Sequence, residues 1–230
     1  DVTQNGAFDA YVVKLKAEPT AAEVNDNYVW AGFVGGDGDD VTAGAGGWYS
    51  AGHVGLDGAG NAYMSGQTTS HEDTFPNGGG FGSLPGPDRT YNGGDWDAYI
   101  VKVKADGSGL AYAGFIGGDD YDDAKGMAID ADGAAYLTGA TYSPDFPTLV
   151  GPDLTFNGFL DAFVTKVSPD GRTLVWSGFV GGDDDEQGQG VALAFSQVRT
   201  DVTKESMAEL MKELKDIRAQ CIAHLKGSNG

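Results

Sequence analysis

The residues of this sequence that could do chemistry are acids that recur in clusters behind a Gly-Gly pair. Carboxylates crowded on one turn repel each other unless a cation neutralises them, and Ca²⁺ takes roughly six to eight oxygen ligands. The clusters therefore favour Ca²⁺ as a candidate cofactor, and the alternative is a set of solvated turns that keep the surface soluble. The candidate ligands are Asp37, Asp39 and Asp40, then Asp119, Asp120 and Asp122, then Asp183, Asp184 and Glu186.

Residues that would support catalysis are few. The three histidines, His53, His71 and His224, have no metal-ligand spacing to one another or to the single cysteine. No serine lies in a nucleophile elbow, and His71-Glu72-Asp73 is interpreted as a polar surface loop. The sequence therefore predicts a protein that is not an enzyme, with a polysaccharide-active enzyme as an alternative.

One aromatic pair, Trp48-Tyr49, lies in an inserted stretch rich in glycine. Exposed aromatic rings beside acids could stack on a sugar, whereas the simpler interpretation is that they anchor their own loop. A calcium-assisted module that binds polysaccharide is therefore a second candidate function.

The elements that position these residues form repeats. Residues 97–141 contain the apolar runs AYIVKVK, LAYAGFIGG, GMAI and AAYLTG, which are separated by glycine and aspartate. Such runs between turn residues predict a four-stranded antiparallel meander. Its landmarks recur both downstream and upstream, so we predict repeats over 6–92, 93–157 and 158–195 within a body of 1–196. The last repeat stops about one strand short.

The boundaries between repeats also recur. Gly86-Pro87-Asp88 matches Gly151-Pro152-Asp153, and Phe75-Pro76 matches Phe146-Pro147. Because proline cannot donate to a sheet ladder, these segments are predicted to connect one sheet to the next. The first repeat is longer than the second, and its extra residues are predicted to lie in loops.

The stretch 197–230 has a different period. Its apolar residues fall at spacings of 3, 4, 3 and 4, which is typical of a coiled-coil seam or of one face of an amphipathic helix. We predict a helix that contributes to oligomerisation, in which the cysteine either links two chains or fills apolar space. The seam residues are Met207, Leu210, Leu214, Ile217 and Cys221.

The order of the landmarks carries a resemblance. DAYIVKV, AGFIGGDDYDD and GMAIDADGAAYLTGATYSPDFPT, followed by TYNGG or TFNG before the next DA[YF], resemble the bacterial β-propeller repeats often called SBBP repeats over about 1–195. The resemblance implies radially arranged sheets and an exported or cell-surface protein. It implies little about activity, and the helical stretch is not part of it.

Charge limits the partners. The net charge is −20, and residues 1–200 hold 29 acidic against 9 basic side chains. Such a surface repels phosphates and anionic lipids, which excludes nucleic acid as a partner, and no apolar run is long enough to span a membrane.

The fold class predicted is all-β, with about 2.75 propeller-like blades of four antiparallel strands and a C-terminal helix. An incomplete set of blades leaves open edges. The chain would then be part of a longer array, close with other copies, or pack its units differently. The predicted function is that of a secreted or cell-surface structural or adhesive protein that forms a homo-oligomer or filament through its open edges and its helix.

Overall fold

The computed structural model of the chain describes residues 2–16, 27–42 and 53–193. These residues form antiparallel β-sheets and contain no helix, so the described ranges include none that is long and apolar enough to cross a membrane. The chain divides into two compact units, Asp1–Leu193 and Ala194–Gly230. The predicted helix belongs to the second unit and lies outside the described residues.

The strands of the described residues are short and regular, and β-branched and aromatic residues dominate several of them, as the pleated geometry favours. They are β1 (Ala10–Leu15), β2 (Tyr28–Val34), β3 (Asp40–Val41), β4 (His53–Leu56), β5 (Ala62–Thr68), β6 (Asp97–Val103), β7 (Leu110–Ile116), β8 (Asp122–Ile129), β9 (Ala135–Thr141), β10 (Asp161–Val167) and β11 (Leu174–Val180).

The hairpin between β8 and β9 shows why aspartate and glycine end the strands. Asp130 Oδ1 accepts the backbone N–H groups of Asp132 at 3.0 Å and Ala134 at 2.9 Å. Gly133 has a φ of 86°, a left-handed conformation that glycine adopts without steric cost. Residues 130–133 therefore form the tight turn between these two strands.

The strands pair in three sheets. The N-terminal pair consists of β1 and β2, the central sheet of β3 to β7, and the C-terminal sheet of β8 to β11. In each sheet one hairpin has the same register, since Ala10, Ala98 and Ala162 lie opposite Val34, Ile116 and Val180, respectively. The three hairpins are therefore structural copies of one another.

The prediction that each repeat forms its own propeller-like blade was wrong. Strands β6 and β7 belong to the central sheet, whereas β8 and β9 of the same repeat pair with β10 and β11 of the next. The described residues contain no closed or propeller-like sheet. Each complete sheet instead takes strands from two successive repeats.

The connections explain this error. Residues 117–121 are as short as a hairpin loop, yet they lead from β7 in the central sheet to β8 in the C-terminal sheet. The long proline-containing connection 142–160 joins β9 to its neighbour β10 within one sheet. Part of it covers the outer edge of β11, where the N–H groups of Ser177 and Phe179 donate to the carbonyls of Leu149 at 2.7 Å and Asp153 at 2.8 Å.

An insertion in the first repeat interrupts a strand. Both β3 and β4 pair with β5, and together they occupy the edge that β8 occupies along β9. The strand β8 is continuous, with only a bulge between Ala124 and Gly126, whereas β3 ends at Val41 and β4 begins at His53. Part of the extra length of the first repeat therefore falls between β3 and β4, at the place where its copy has the bulge.

The central sheet is buried on both faces, because alternate side chains of its strands enter two different apolar clusters. On one face Tyr99 and Val101 pack with Ala10 and Val12 of the N-terminal pair. On the other face Ala98 and Ile100 pack with Leu137 and Phe163 of the C-terminal sheet. The three sheets are therefore stacked in series. Phe75 and Phe146 occupy equivalent positions in the two clusters.

Backbones approach closely at Gly139 in β9, which gives a test of this pairing. A Cβ at Gly139 would lie 1.8 Å from the carbonyl oxygen of Asp123 and 2.9 Å from the ring of Phe163. We expect Gly139→Ala to lower the free energy of unfolding by about 1–3 kcal/mol, the usual cost of overpacking. Chemical denaturation measures the change.

The control for this prediction is Gly58→Ala. A Cβ at Gly58 meets no atom within 4 Å, and its φ is not positive. This variant should unfold like the parent chain, and equal stability of both variants would contradict the described pairing of β8 with β9.

Candidate functional site

One acid of each predicted cluster turns towards the sheets. Its carboxylate accepts the backbone N–H of the second glycine in the preceding Gly-Gly pair, at 2.8 Å in all three copies. Two of these acids are buried and the third is half-buried. They are Asp40 with Gly36, Asp122 with Gly118, and Glu186 with Gly182.

The other predicted ligands do not join them. Asp39 is half-buried, and the rest are exposed, namely Asp37, Asp119, Asp120, Asp183 and Asp184. Within the described ranges no three His, Cys, Asp or Glu side chains form a group that could hold a metal ion. The structure therefore does not gather any cluster into a three-acid site.

A second acid, which the sequence analysis did not include among the candidate ligands, faces each inward acid. Asp9 directly precedes β1, and Asp97 and Asp161 are the first residues of β6 and β10. Each accepts the backbone N–H of an asparagine a few residues earlier, at 2.8, 2.9 and 3.0 Å. The result is three copies of one carboxylate pair.

The first glycine of each Gly-Gly pair allows the two carboxylates to approach. A Cβ at Gly117 would lie 2.7 Å from Asp122 Oδ2 and 3.0 Å from Asp97 Oδ1, so both oxygens border one small space. A Cβ at Gly181 would lie 2.6 Å from Glu186 Oε2 and 2.7 Å from Asp161 Oδ1, which places that pair in the same way. Any side chain at these glycines would occupy the space that the carboxylates use.

The pairs differ in how well their oxygens are satisfied. Asp97 Oδ1, Asp122 Oδ1 and Asp161 Oδ1 are buried and have no hydrogen-bond partner. In the first copy, by contrast, both oxygens of Asp9 accept a backbone N–H, from Gly6 and Asn5. Buried polar atoms are nearly always partnered in folded proteins, so these three exceptions need an explanation.

Hydroxyl groups complete the surroundings of the inward acids. Ser70 donates to Asp40 at 2.8 Å, and Ser143 donates to Asp122 at 3.0 Å. None of the ion pairs formed by the described residues includes a member of the carboxylate pairs. All three pairs are therefore held by N–H donors, joined by hydroxyl donors in the first two, and among the described residues none has a compensating cationic side chain.

Burial dominates the electrostatics of the Asp97–Asp122 pair. It raises the pKa of Asp97 to about 8, helped by the charges of Asp122, Asp88 and Asp145 and opposed by the N–H of Asn92. Burial also raises the pKa of Asp122 to about 7, against hydrogen bonds that lower it. In the absence of a cation, this pair holds protons at neutral pH.

Stability should therefore fall as the pH rises. The usual pKa of aspartate is about 3.9. Between about pH 4 and pH 8 the folded chain binds more protons at Asp97 and Asp122 than the unfolded chain, so the free energy of unfolding decreases through this window and levels off above it. In buffer with a chelator, we expect the Tm to fall from pH 5 to pH 9.

The variant Asp97→Asn isolates this contribution, because asparagine does not titrate. Its Tm should depend less on pH over the same window than that of the parent chain. Asp132→Asn, at an exposed turn position, should keep the parent slope. A parent Tm that is constant or rises between pH 5 and pH 9 would contradict the buried pair.

A groove of about 400 Å³ is lined by Asp37, His71, Glu72 and Asp73. The ring of His71 packs on the ring of Tyr91 at 4.5 Å, and Glu72 accepts the backbone N–H of Tyr91 at 3.3 Å. His71 and Glu72 therefore anchor the loop, in keeping with its interpretation as a polar surface loop.

The second candidate site is a pair of apolar faces at the two ends of the stack. The head face, on the N-terminal pair, contains Tyr11, Leu15 and Tyr28, all exposed. The tail face, on the C-terminal sheet, contains Val164, Trp176 and Val180, which share one side of the β10–β11 hairpin. Of these, Val180 is exposed and the other two are half-buried.

Equivalent positions within the stack are fully covered. Tyr11 is 69% exposed, whereas Tyr99 and Phe163, at the same register position of the other hairpins, are 0% exposed. Val180 is 51% exposed, whereas its equivalent Ile116 is 1% exposed. Both end faces therefore carry apolar residues at positions that are buried elsewhere in the stack.

The remaining predicted site residues lie outside the described residues. They are Trp48 and Tyr49, proposed for glycan binding, and Met207, Leu210, Leu214, Ile217 and Cys221, proposed for oligomerisation. These assignments stay predictions.

The acids at the start of β1, β6 and β10 could have been recognised from the sequence. Each is a charged residue directly before an apolar run, and it recurs in all three repeats. In the second and third repeats this run is largely buried. A charge at the start of a buried strand needs a partner or a ligand, so this recurrence could have identified Asp97 and Asp161.

Comparison with known proteins adds no assignment. No protein-family model matches the chain, and no curated protein matches it. The resemblance to SBBP repeats therefore remains a prediction.

Proposed function

We propose that this chain is a non-enzymatic structural protein, secreted or at the cell surface, that assembles with copies of itself by stacking head face on tail face. The observation that carries the proposal is the exposure of Tyr11, whose two structural copies are fully buried. Exposed apolar patches rimmed by polar residues mark interaction sites.

The two interfaces inside the chain show how such faces fit. The equivalent strands β1, β6 and β10 serve as a reference in the three sheets. At both interfaces, the even-numbered residues of this strand in one sheet face the odd-numbered residues of the equivalent strand in the next sheet. Ala10 and Val12 pack on Tyr99 and Val101 in this way. Ala98 and Ile100 pack on Phe163 and Val167.

The stack ends with one free face of each kind. The head face carries odd-numbered residues such as Tyr11 and Leu15, and the tail face carries even-numbered residues such as Val164 and Val180. The tail face of a second copy can therefore cover the head face of the first, in the same way that one sheet covers the next inside the chain. Because the two faces differ, the contact is heterologous and produces a ring or an open filament.

Edge pairing supports the same contact. Among the described residues, β1 pairs only with β2, although the equivalent strands β6 and β10 each have neighbours on both sides. This edge of β1, which no described strand occupies, can accept a strand from the copy that covers the head face.

Two single substitutions test the assembly. Tyr11→Asp places a charge on the head face and Val180→Asp places one on the tail face, so each variant alone should sediment as a monomer at micromolar concentration while the parent chain forms larger species. Mixed together, the variants should form a dimer, since each retains one intact face. Analytical ultracentrifugation measures all four samples.

Leu56→Asp is the matched control. Leu56 is about as exposed as Tyr11 but lies in β4 of the central sheet, which carries neither end face. This variant should assemble like the parent. A monomeric parent chain, or a Val180→Asp variant that still dimerises by itself, would contradict head-to-tail stacking.

Assembly should also strengthen with salt. Residues 1–200 carry 29 acidic and 9 basic side chains, so two copies repel each other at low ionic strength. We expect the assembled fraction to rise between 20 mM and 500 mM NaCl. A contact held mainly by ion pairs would weaken instead, and sedimentation across the salt series separates the two cases.

A further inference from the structure

We infer that the carboxylate pairs Asp97–Asp122 and Asp161–Glu186 each bind a divalent cation of the Ca²⁺ class. This inference does not depend on the assembly proposed above. The sequence suggested three clusters of ligands, whereas this inference assigns two pairs. In each pair, one acid comes from a cluster and the other, Asp97 or Asp161, does not.

The unpartnered oxygens point to a ligand. Asp97 and Asp161 are fully buried, and the Oδ1 atom of each lacks a hydrogen-bond partner. Each of these atoms lies beside the glycine at which the second carboxylate of the pair also converges. The backbone N–H groups of Asn92 and Asn157 bind the other oxygens of Asp97 and Asp161. In the second acid of each pair, the oxygen that borders the space is itself held by a backbone N–H, from Gly118 or Gly182.

The placement of the carboxylates suits one bridging ion. Ca²⁺–oxygen distances are about 2.3–2.6 Å. In both pairs, one oxygen of each carboxylate lies within 3.0 Å of a single point, the position of a Cβ at Gly117 or Gly181. Two oxygens on the same side of one glycine are candidates for a shared ion, which would lie between the carboxylates and away from the glycine backbone. With two acidic side chains in each site, water molecules and main-chain carbonyls would complete the coordination.

Charge favours a cation over a neutral ligand. No ion pair of the described residues involves these acids, and Asp88 and Asp145 add their negative charges near Asp97. Two buried carboxylates without a counter-charge are costly unless a cation or a proton neutralises them.

The first repeat provides an internal comparison. Asp9 faces Asp40 across Gly35, but both of its oxygens already accept backbone N–H groups. This copy therefore lacks the unpartnered atom that carries the inference, and we assign no cation to it.

Isothermal titration of the full chain with CaCl₂, after removal of metal by a chelator, tests the inference. We expect two ions per chain. Asp97→Asn should reduce the number to one, whereas Asp119→Asn and Asp183→Asn, at exposed cluster positions, should leave two. Loss of binding in the exposed variants, or no binding by the parent chain, would overturn the assignment.

Thermal unfolding provides a second readout. At a Ca²⁺ concentration about 100 times the Kd, each site should raise the ratio of folded to unfolded chain about 100-fold. An equal rise in Tm with NaCl of the same ionic strength would show screening alone and overturn the site. So would an equal rise with MgCl₂, since Mg²⁺ demands a stricter octahedral geometry.

The buried position of Asp97 could prevent its variant from folding, which circular dichroism would reveal. Glu186→Gln then decides the question, because Glu186 is only half-buried and its replacement keeps the size of the side chain. Binding that falls from two ions to one supports the inference, and binding that stays at two overturns it.

Discussion

The central sheet is apolar on both faces, and the rest of the described structure depends on this constraint. A sheet of this kind must be covered on each side, so the N-terminal pair packs over Tyr99 and Val101 while the C-terminal sheet packs over Ala98 and Ile100. Each covering sheet contains a copy of the same hairpin and has its own second apolar face. The second apolar face of each covering sheet must therefore be covered in its turn.

The strands themselves could be predicted from the sequence, since each apolar run between Gly and Asp punctuation in 97–141 is a strand. Their assignment to sheets could not. A short connection between two strands favours a hairpin, and the stretch 117–121 is short, yet it crosses between sheets. Conversely, proline in 142–160 suggested a passage between sheets, whereas this connection stays within one sheet and covers the edge of β11.

The candidate site was predictable only in part, for a related reason. The acidic clusters show where carboxylates gather, but local sequence does not reveal which member turns inward. The backbone N–H of the second glycine selects Asp122 in one copy and Glu186 in another. Their partners, Asp97 and Asp161, are distant in sequence and meet them where the chain leaves one strand at Gly117 and Gly181.

The Asp97–Asp122 pair lies where the central sheet meets the C-terminal sheet. Asp97 begins a strand of the central sheet and Asp122 begins a strand of the C-terminal sheet, so the charge state of the pair acts on two sheets that must stay in contact. Repulsion between ionised carboxylates works against that contact, and a bound proton or cation removes the repulsion.

The same reasoning applies at the end of the stack. Glu186 leads into a segment that lies against β9, where the N–H of Gly188 donates to the carbonyl of Gly139 at 2.9 Å. A ligand that joins Glu186 to Asp161 would hold this segment beside the surface that the next copy is proposed to cover. Neutralising the second pair and adding a copy would then stabilise neighbouring parts of one structure, so the two events are expected to favour each other.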